Sequence, residues 1–187
     1  MGSLSDMTPH VVSAWALARA KLLHARIAAP LGQDVLSEEL LLEAARFADQ
    51  ADCDSLRGDA FSGLALVARS RGGLSEAGRL YAKASTHYWR AGDGQARARV
   101  LLNRGLALGQ MGDIVACRAA LEEARDASEG MELRDTAMRV RLALAWMDVR
   151  RGHMRSARRQ LLVLYKQSRQ SGLAREWALS LEFLAEC

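Results

Sequence analysis

Glycine recurs in phase along this chain: Gly32, Gly72, Gly112 and Gly152 stand forty residues apart. Around each one the same pattern of sizes returns. Seven residues before come Ala25, Ala65, Gly105 and Ala145, all small; five after come Ser37, Ala77, Cys117 and Ala157, small again. Nine after come Leu41, Tyr81, Leu121 and Leu161, all large, and twelve after come Ala44, Ala84, Ala124 and Leu164. A repeat of this length marks one supersecondary unit that cannot bury its apolar face alone and must stack on copies of itself. The clearest copy is 96–132. Val100, Leu101, Leu108 and Met111 precede its glycine at helical spacing, and Ile114, Cys117, Leu121 and Ala124 follow it on one stripe. Two amphipathic helices joined at Gly112 are predicted, with the small residues letting backbones approach and the large ones filling the space between hairpins.

Composition supports helix throughout. Half the residues are hydrophobic, only 5% are aromatic, there are two prolines, and no alternating β-branched run appears. The predicted fold is all-α: a right-handed α-solenoid of about four antiparallel helix hairpins and a terminal helix. The hairpins are expected at about 8–50, 59–91, 96–130 and 133–171, and the terminal helix at 174–187, in one repeat domain spanning 1–187. Thr8-Pro9 is expected to open the first helix as cap and first-turn proline, with Val11, Trp15, Ala18, Leu22 and Ala25 on its inner face. Its partner is expected to start near the Ser37 cap, and 52–58 to form a polar connection. The last helix ends on Leu184-Ala185-Glu186-Cys187 without a stop signal, so a piece of a longer protein is expected.

The repeat resembles the tetratricopeptide family, whose 34-residue unit has a small residue, a turn glycine, an alanine, a large residue and an alanine in this order. Arg-Gly-Gly-Leu-Ser-Glu-Ala (71–77) and Arg-Gly-His-Met-Arg-Ser-Ala (151–157) look like that family's turn and second-helix start. The forty-residue period implies longer helices. Phe61, Leu101 and Arg141 stand where the family has tryptophan, and Trp89, Glu129 and Arg169 where it has proline. Units of this length are similar to the tetratricopeptide-like input domains of bacterial transcription regulators.

Catalytic and cofactor motifs are absent from the sequence. It has no phosphate-binding glycine loop, no G-x-S-x-G elbow and no paired metal-ligand histidines; His10, His24, His87 and His153 are scattered. Cys53, Cys117 and Cys187 are an odd number without metal spacing, which predicts a reducing, cytoplasmic setting and a packing role for Cys117. No cofactor, no metal and no enzymatic activity are expected. No apolar run approaches membrane-span length, and Asp6 breaks the N-myristoylation pattern. The net charge of +4 is uneven: residues 1–93 carry 10 Lys/Arg against 11 Asp/Glu, and residues 94–187 carry 16 against 11. Such a dipole suits an acidic partner. Direct nucleic-acid binding is not expected, because the basic residues do not alternate with stacking aromatics.

The resemblance implies that first helices line a groove. Matching the family's groove positions gives Arg69, Arg99, Asn103, Leu106, Arg139 and Trp146, with the polar residues beside an apolar anchor of Leu106 and Trp146. Asn103 and Arg139 resemble two places of the family's carboxylate clamp, whereas Ser62 and Leu66 do not complete it. The expected function is a non-catalytic protein- or peptide-binding scaffold, the sensory or regulatory part of a larger cytoplasmic regulator of transcription or signalling. The alternative is a self-assembling module, a homodimer formed through Leu181, Leu184 and the helix bearing Arg155 and Arg159.

Overall fold

Helices of about seventeen residues separated by three-residue turns account for the period. In the computed structural model, which describes residues 9–130 and 133–187, every regular element among the described residues is a helix. They are α1 (Pro9–Ala28), α2 (Asp34–Gln50), α3 (Asp54–Ser70), α4 (Leu74–Arg90), α5 (Gly94–Gln110), α6 (Ile114–Glu129), α7 (Arg134–Arg150), α8 (Met154–Gln170) and α9 (Ala174–Ala185), with a 3-10 turn at Ala29–Leu31. Thr8, the expected cap of α1, lies outside the described residues.

The turns are near copies of one another. Gly72, Gly112 and Gly152 take φ of 80°, 81° and 77°, in the left-handed region where a Cβ would be strained. Each is followed by an amide that reaches back five residues to a carbonyl, as Asp113 N–H does to Leu108 O at 3.1 Å, closing the helix end in a Schellman motif. The turns joining one hairpin to the next are built alike, with Asp52, Gly92 and Gly172 at positive φ. Among the described residues positive-φ punctuation therefore falls at 32, 52, 72, 92, 112, 152 and 172, so the turns between hairpins are built like those within them. Asp93 and Asp113 then cap the following helices, accepting from Ala96 N at 2.9 Å and Ala116 N at 3.0 Å.

Two expected boundaries move. Ser37 is not a cap: α2 begins at Asp34, and Ser37 is buried, donating its hydroxyl to Ala25 O at 3.3 Å. The polar connection expected over 52–58 shrinks to the turn at Asp52, because α3 already starts at Asp54. Arg57 holds that corner, with Nε 2.6 Å from Asp49, Nη2 3.1 Å from Asp52 and Nη1 3.3 Å from Asp54. His87 Nδ1 meets the same Asp54 carboxylate at 2.7 Å, and that contact, aided by Arg57 and opposed by burial, holds the Asp54 carboxyl below its ordinary range.

The chain divides into two compact units, one up to Val100 and one from Leu101. In the first, Ala18, Leu22 and Ala25 of α1 close on Leu40, Leu41, Ala44 and Ala48 of α2, which in turn pack against Leu56, Ala60, Leu64 and Val67 of α3. Beside them Ala77, Tyr81, Ala84 and Tyr88 of α4 bury Ala65, Ala96 and Val100. In the second, Cys117, Leu121 and Ala124 of α6 pack with Leu101, Leu102, Val140 and Met147. Ala157, Leu161 and Leu164 of α8 pack with Leu142, Ala145 and Val149, and α9 lays Leu179, Phe183 and Leu184 against them. Cys117 is a packing residue, its Sγ 3.3 Å from Met147 Sδ and its thiol pushed up by burial.

Gly105 occupies a small slot of the repeat for lack of room. A Cβ there would stand 2.7 Å from both Cγ and Cδ2 of buried Leu121 and 3.4 Å from the Cys117 carbonyl. Gly105→Ala gains about 1 kcal/mol of helix propensity but overpacks the α5–α6 contact by about 1–3 kcal/mol. The expected net result is destabilisation of about 1 kcal/mol, read as a lower urea midpoint at unchanged slope. A raised midpoint would show that Leu121 yields freely.

Candidate functional site

Three helices of the second unit bring one face each to a common cleft. Leu102 and Leu106 lie four apart on α5. Arg139, Leu142, Ala143 and Trp146 follow the three-four-seven spacing on α7, and Arg175, Leu179 and Phe183 stand four apart on α9. They enclose about 130 Å³, close to the size of an engineered apolar cavity that admits benzene, about 150 Å³. A volume of this size takes one apolar side chain.

Trp146 forms a wall of this cleft. One side of its ring faces Gly109, where a Cβ would come within 3.6 Å. Phe183 sits at 6.4 Å between centroids, tilted by 38°, and the Arg150 guanidinium lies 5.5 Å from the Trp146 ring centroid. An indole held on these sides is fixed before any ligand arrives, which lowers the ordering cost of binding. Among the described residues neither half-buried Arg139 nor exposed Arg175 has an ion-pair partner. An apolar floor with unneutralised guanidinium groups suits an aliphatic or aromatic side chain next to a carboxylate.

Of the six groove residues named from the sequence, Leu106, Arg139 and Trp146 line this cleft and Asn103 is half-buried on α5 outside its lining. Arg69 and Arg99 belong to the first unit, where their charges bear on buried tyrosines: Arg69 on Tyr81 and Arg99 on Tyr88. Arg175, Leu179 and Phe183 were missed. Their spacing of four was readable on the last helix, but nothing in the sequence told which face of a lone helix turns inward. On that helix Leu184 packs into the core while Leu181 is 43% exposed; Arg155 and Arg159 are exposed on α8.

A more open cleft of about 590 Å³ lies between α6, α7 and α8, lined by Ser128, Leu133, Met138 and Gln167. Its Arg141 is already paired with Glu129 at 2.9 Å, leaving less charge for a ligand. A third, of about 260 Å³, is lined by Ala25, Leu41, Leu66 and Val67 in the first unit, with Asp34 and Arg26 at its edge. No helix among the described residues is long and apolar enough to cross a membrane, and none of their His, Cys, Asp and Glu side chains gather into a group that could hold a metal ion.

No protein-family model matches the sequence, and no curated protein sequence matches it. Solved structures do. The chain is similar to aspartyl phosphate phosphatase F from Bacillus subtilis, at 13% identity and TM-score 0.80 over 97% of this chain and 48% of that one. It is also similar to the nearly identical TPR-like repeats of a candidate kinesin light chain from Podosopora anserina. That structure gives 16% identity and TM-score 0.66 over 90% of this chain and 92% of that one; a point variant gives 16% and 0.71 over 89% and 82%. The chain thus spans about half the length of the phosphatase. At such identities the likeness is one of fold, and the fold is a TPR-like helical repeat.

Proposed function

We propose that this chain is a non-catalytic peptide- or protein-binding module, the regulatory part of a larger cytoplasmic regulator. The observation that carries the reading is the α5–α7–α9 cleft, where an immobilised Trp146 and an apolar floor stand beside Arg139 and Arg175. The ligand is a segment presenting one apolar side chain and an adjacent carboxylate. Affinity comes from burying the apolar group; selectivity comes from the two arginines, which leave a neutral segment unpaired. The phosphatase supports a place within a longer protein, since the part of it that this chain matches is 48% of its length.

Peptides selected from a phage-displayed random library on this chain test the reading. The expected winners carry an aliphatic or aromatic residue beside Asp, Glu or a free carboxy terminus. Arg139→Glu combined with Arg175→Glu should weaken them at least tenfold, about 1.4 kcal/mol, while helical circular dichroism is unchanged. Winners that bind the charge-reversed chain equally well would place recognition elsewhere.

A further inference from the structure

The first helix is apolar on two opposite faces, and only one of them is covered. Ala14, Ala18, Leu22 and Ala25 face the core, while Ala16, Ala20, Leu23 and Ile27 form a second ridge at three-four spacing that is exposed. Leu23 is 53% exposed and Ile27 63%; Leu31 in the following turn and Val35 at the start of α2 are exposed as well. A helix face that no neighbour covers is expected to be polar; among the described residues this one is uncovered and apolar.

The repeat itself says what shape covers such a ridge. Forty residues on, Ala16, Ala20 and Ile27 correspond to Leu56, Ala60 and Val67 of α3, all buried under Leu40, Leu41, Ala44 and Ala48 of α2. The counterparts on α5, Ala96 and Val100, are covered by Ala84 and Tyr88 of α4. On α7, Val140 and Met147 are covered by Cys117, Leu121 and Ala124 of α6. In each case the cover is the second helix of the preceding hairpin. A second copy of this chain has no such ridge to offer, because on α2, α4, α6 and α8 it already lies under the next helix.

Charge narrows the partner further. Within α1, Arg19, Lys21 and Arg26 are met by no acidic residue of the same helix. Lys21 is paired with Glu43 at 2.5 Å, but Arg19 and Arg26 have no ion pair among the described residues and flank Leu23 at i−4 and i+3. The helix covering the equivalent face of α3 is itself acidic, with Asp34, Glu38, Glu39, Glu43 and Asp49 against Arg46. We propose that the outer ridge of α1 docks an acidic amphipathic helix of another polypeptide, lying on Ala20, Leu23 and Ile27 as α2 lies on α3, with its carboxylates toward Arg19 and Arg26.

The chain supplies a probe and its control. A fluorescein-labelled peptide of residues 34–50 is acidic and has the right ridge; one of residues 154–170 has a similar ridge with Arg155, Arg158, Arg159, Lys166 and Arg169 and no acid. In anisotropy titrations against the whole chain, the acidic peptide should saturate at ~10–100 μM and the basic one should not bind. Ala20→Glu and Ile27→Glu, both at exposed positions, should each weaken the acidic peptide at least tenfold with helicity unchanged. Equal affinity for the two variants and the parent, or no binding of the acidic peptide at millimolar concentration, overturns the proposal. A concentration-dependent dimer in light scattering that Ile27→Glu abolishes also overturns it, because a second copy then occupies the ridge.

Discussion

Leu161→Ala is expected to lower the stability of the second unit by about 2–5 kcal/mol, the range for emptying a fully enclosed leucine site. Leu161 is fully buried, held by Met138, Leu142, Ala145 and Val149 of α7, with Ala157 and Leu164 on its own helix and Leu184 of α9 in the same cluster. Several of these neighbours are themselves short or pinned by other contacts, so little can relax into the cavity. Repeat arrays couple chiefly between neighbours, which makes the loss local. Hydrogen exchange should show protection falling most in α7, α8 and α9, with α1 to α4 close to the parent. Uniform loss across the chain would mean that it unfolds as one cooperative block. Of the two equivalent residues in the first unit, Leu41 is again a leucine, whereas Tyr81 is larger and brings a hydroxyl, so the same slot poses a different problem there.

What the sequence conveyed and what it withheld follow from which interactions leave a local mark. Period and residue size mark packing directly: the size pattern around Gly32, Gly72, Gly112 and Gly152 corresponds to side chains that are almost without exception buried. Punctuation was read less well, since glycine has two uses. Gly58 falls by pattern in the 52–58 connection, yet it lies inside α3, where Tyr88 leaves no room for a side chain: a Cβ there would stand 2.7 Å from Cε1 of that ring. Asp52 has the opposite disguise: a residue with a side chain takes φ of 44° where Gly92 and Gly172 stand in later turns, its carboxylate tied to Arg57. Three of the nine residues lining the cleft were legible as site residues, because Leu106, Arg139 and Trp146 share a register. Arg175, Leu179 and Phe183 were not, because the way a final helix is rotated depends on long-range contacts with Met138, Leu142 and Leu161. The double apolar face of α1 was present in the residues too, but only coverage distinguishes a buried ridge from an exposed one.

Removing the hydroxyl from two tyrosines of α4 should shift stability in opposite directions. Tyr88 donates to Asp59 Oδ1 at 2.7 Å and is almost wholly buried. Burial, then the Asp59 charge and the hydrogen bond donated to it, push its phenol far up, so it is neutral and donating at physiological pH. Tyr88→Phe deprives a carboxylate of a charge-assisted bond and should cost about 1.5–3 kcal/mol, toward the lower end because water reaches half-buried Asp59. Tyr81 sits one heptad earlier, is fully buried, and its hydroxyl meets no hydrogen-bond partner among the described residues. Burial raises its phenol also, with Arg69 opposing through its charge rather than through a bond. An unpaired buried hydroxyl costs about 1–3 kcal/mol of desolvation, so Tyr81→Phe should raise stability by roughly that amount with the ring's packing kept. Urea melts of the two variants read the contrast as midpoints displaced to either side of the parent at a common slope. If Tyr81→Phe instead lowers the midpoint, the hydroxyl is satisfied in solution by a water or by movement of Arg69, and the first unit then contains a polar site at its centre.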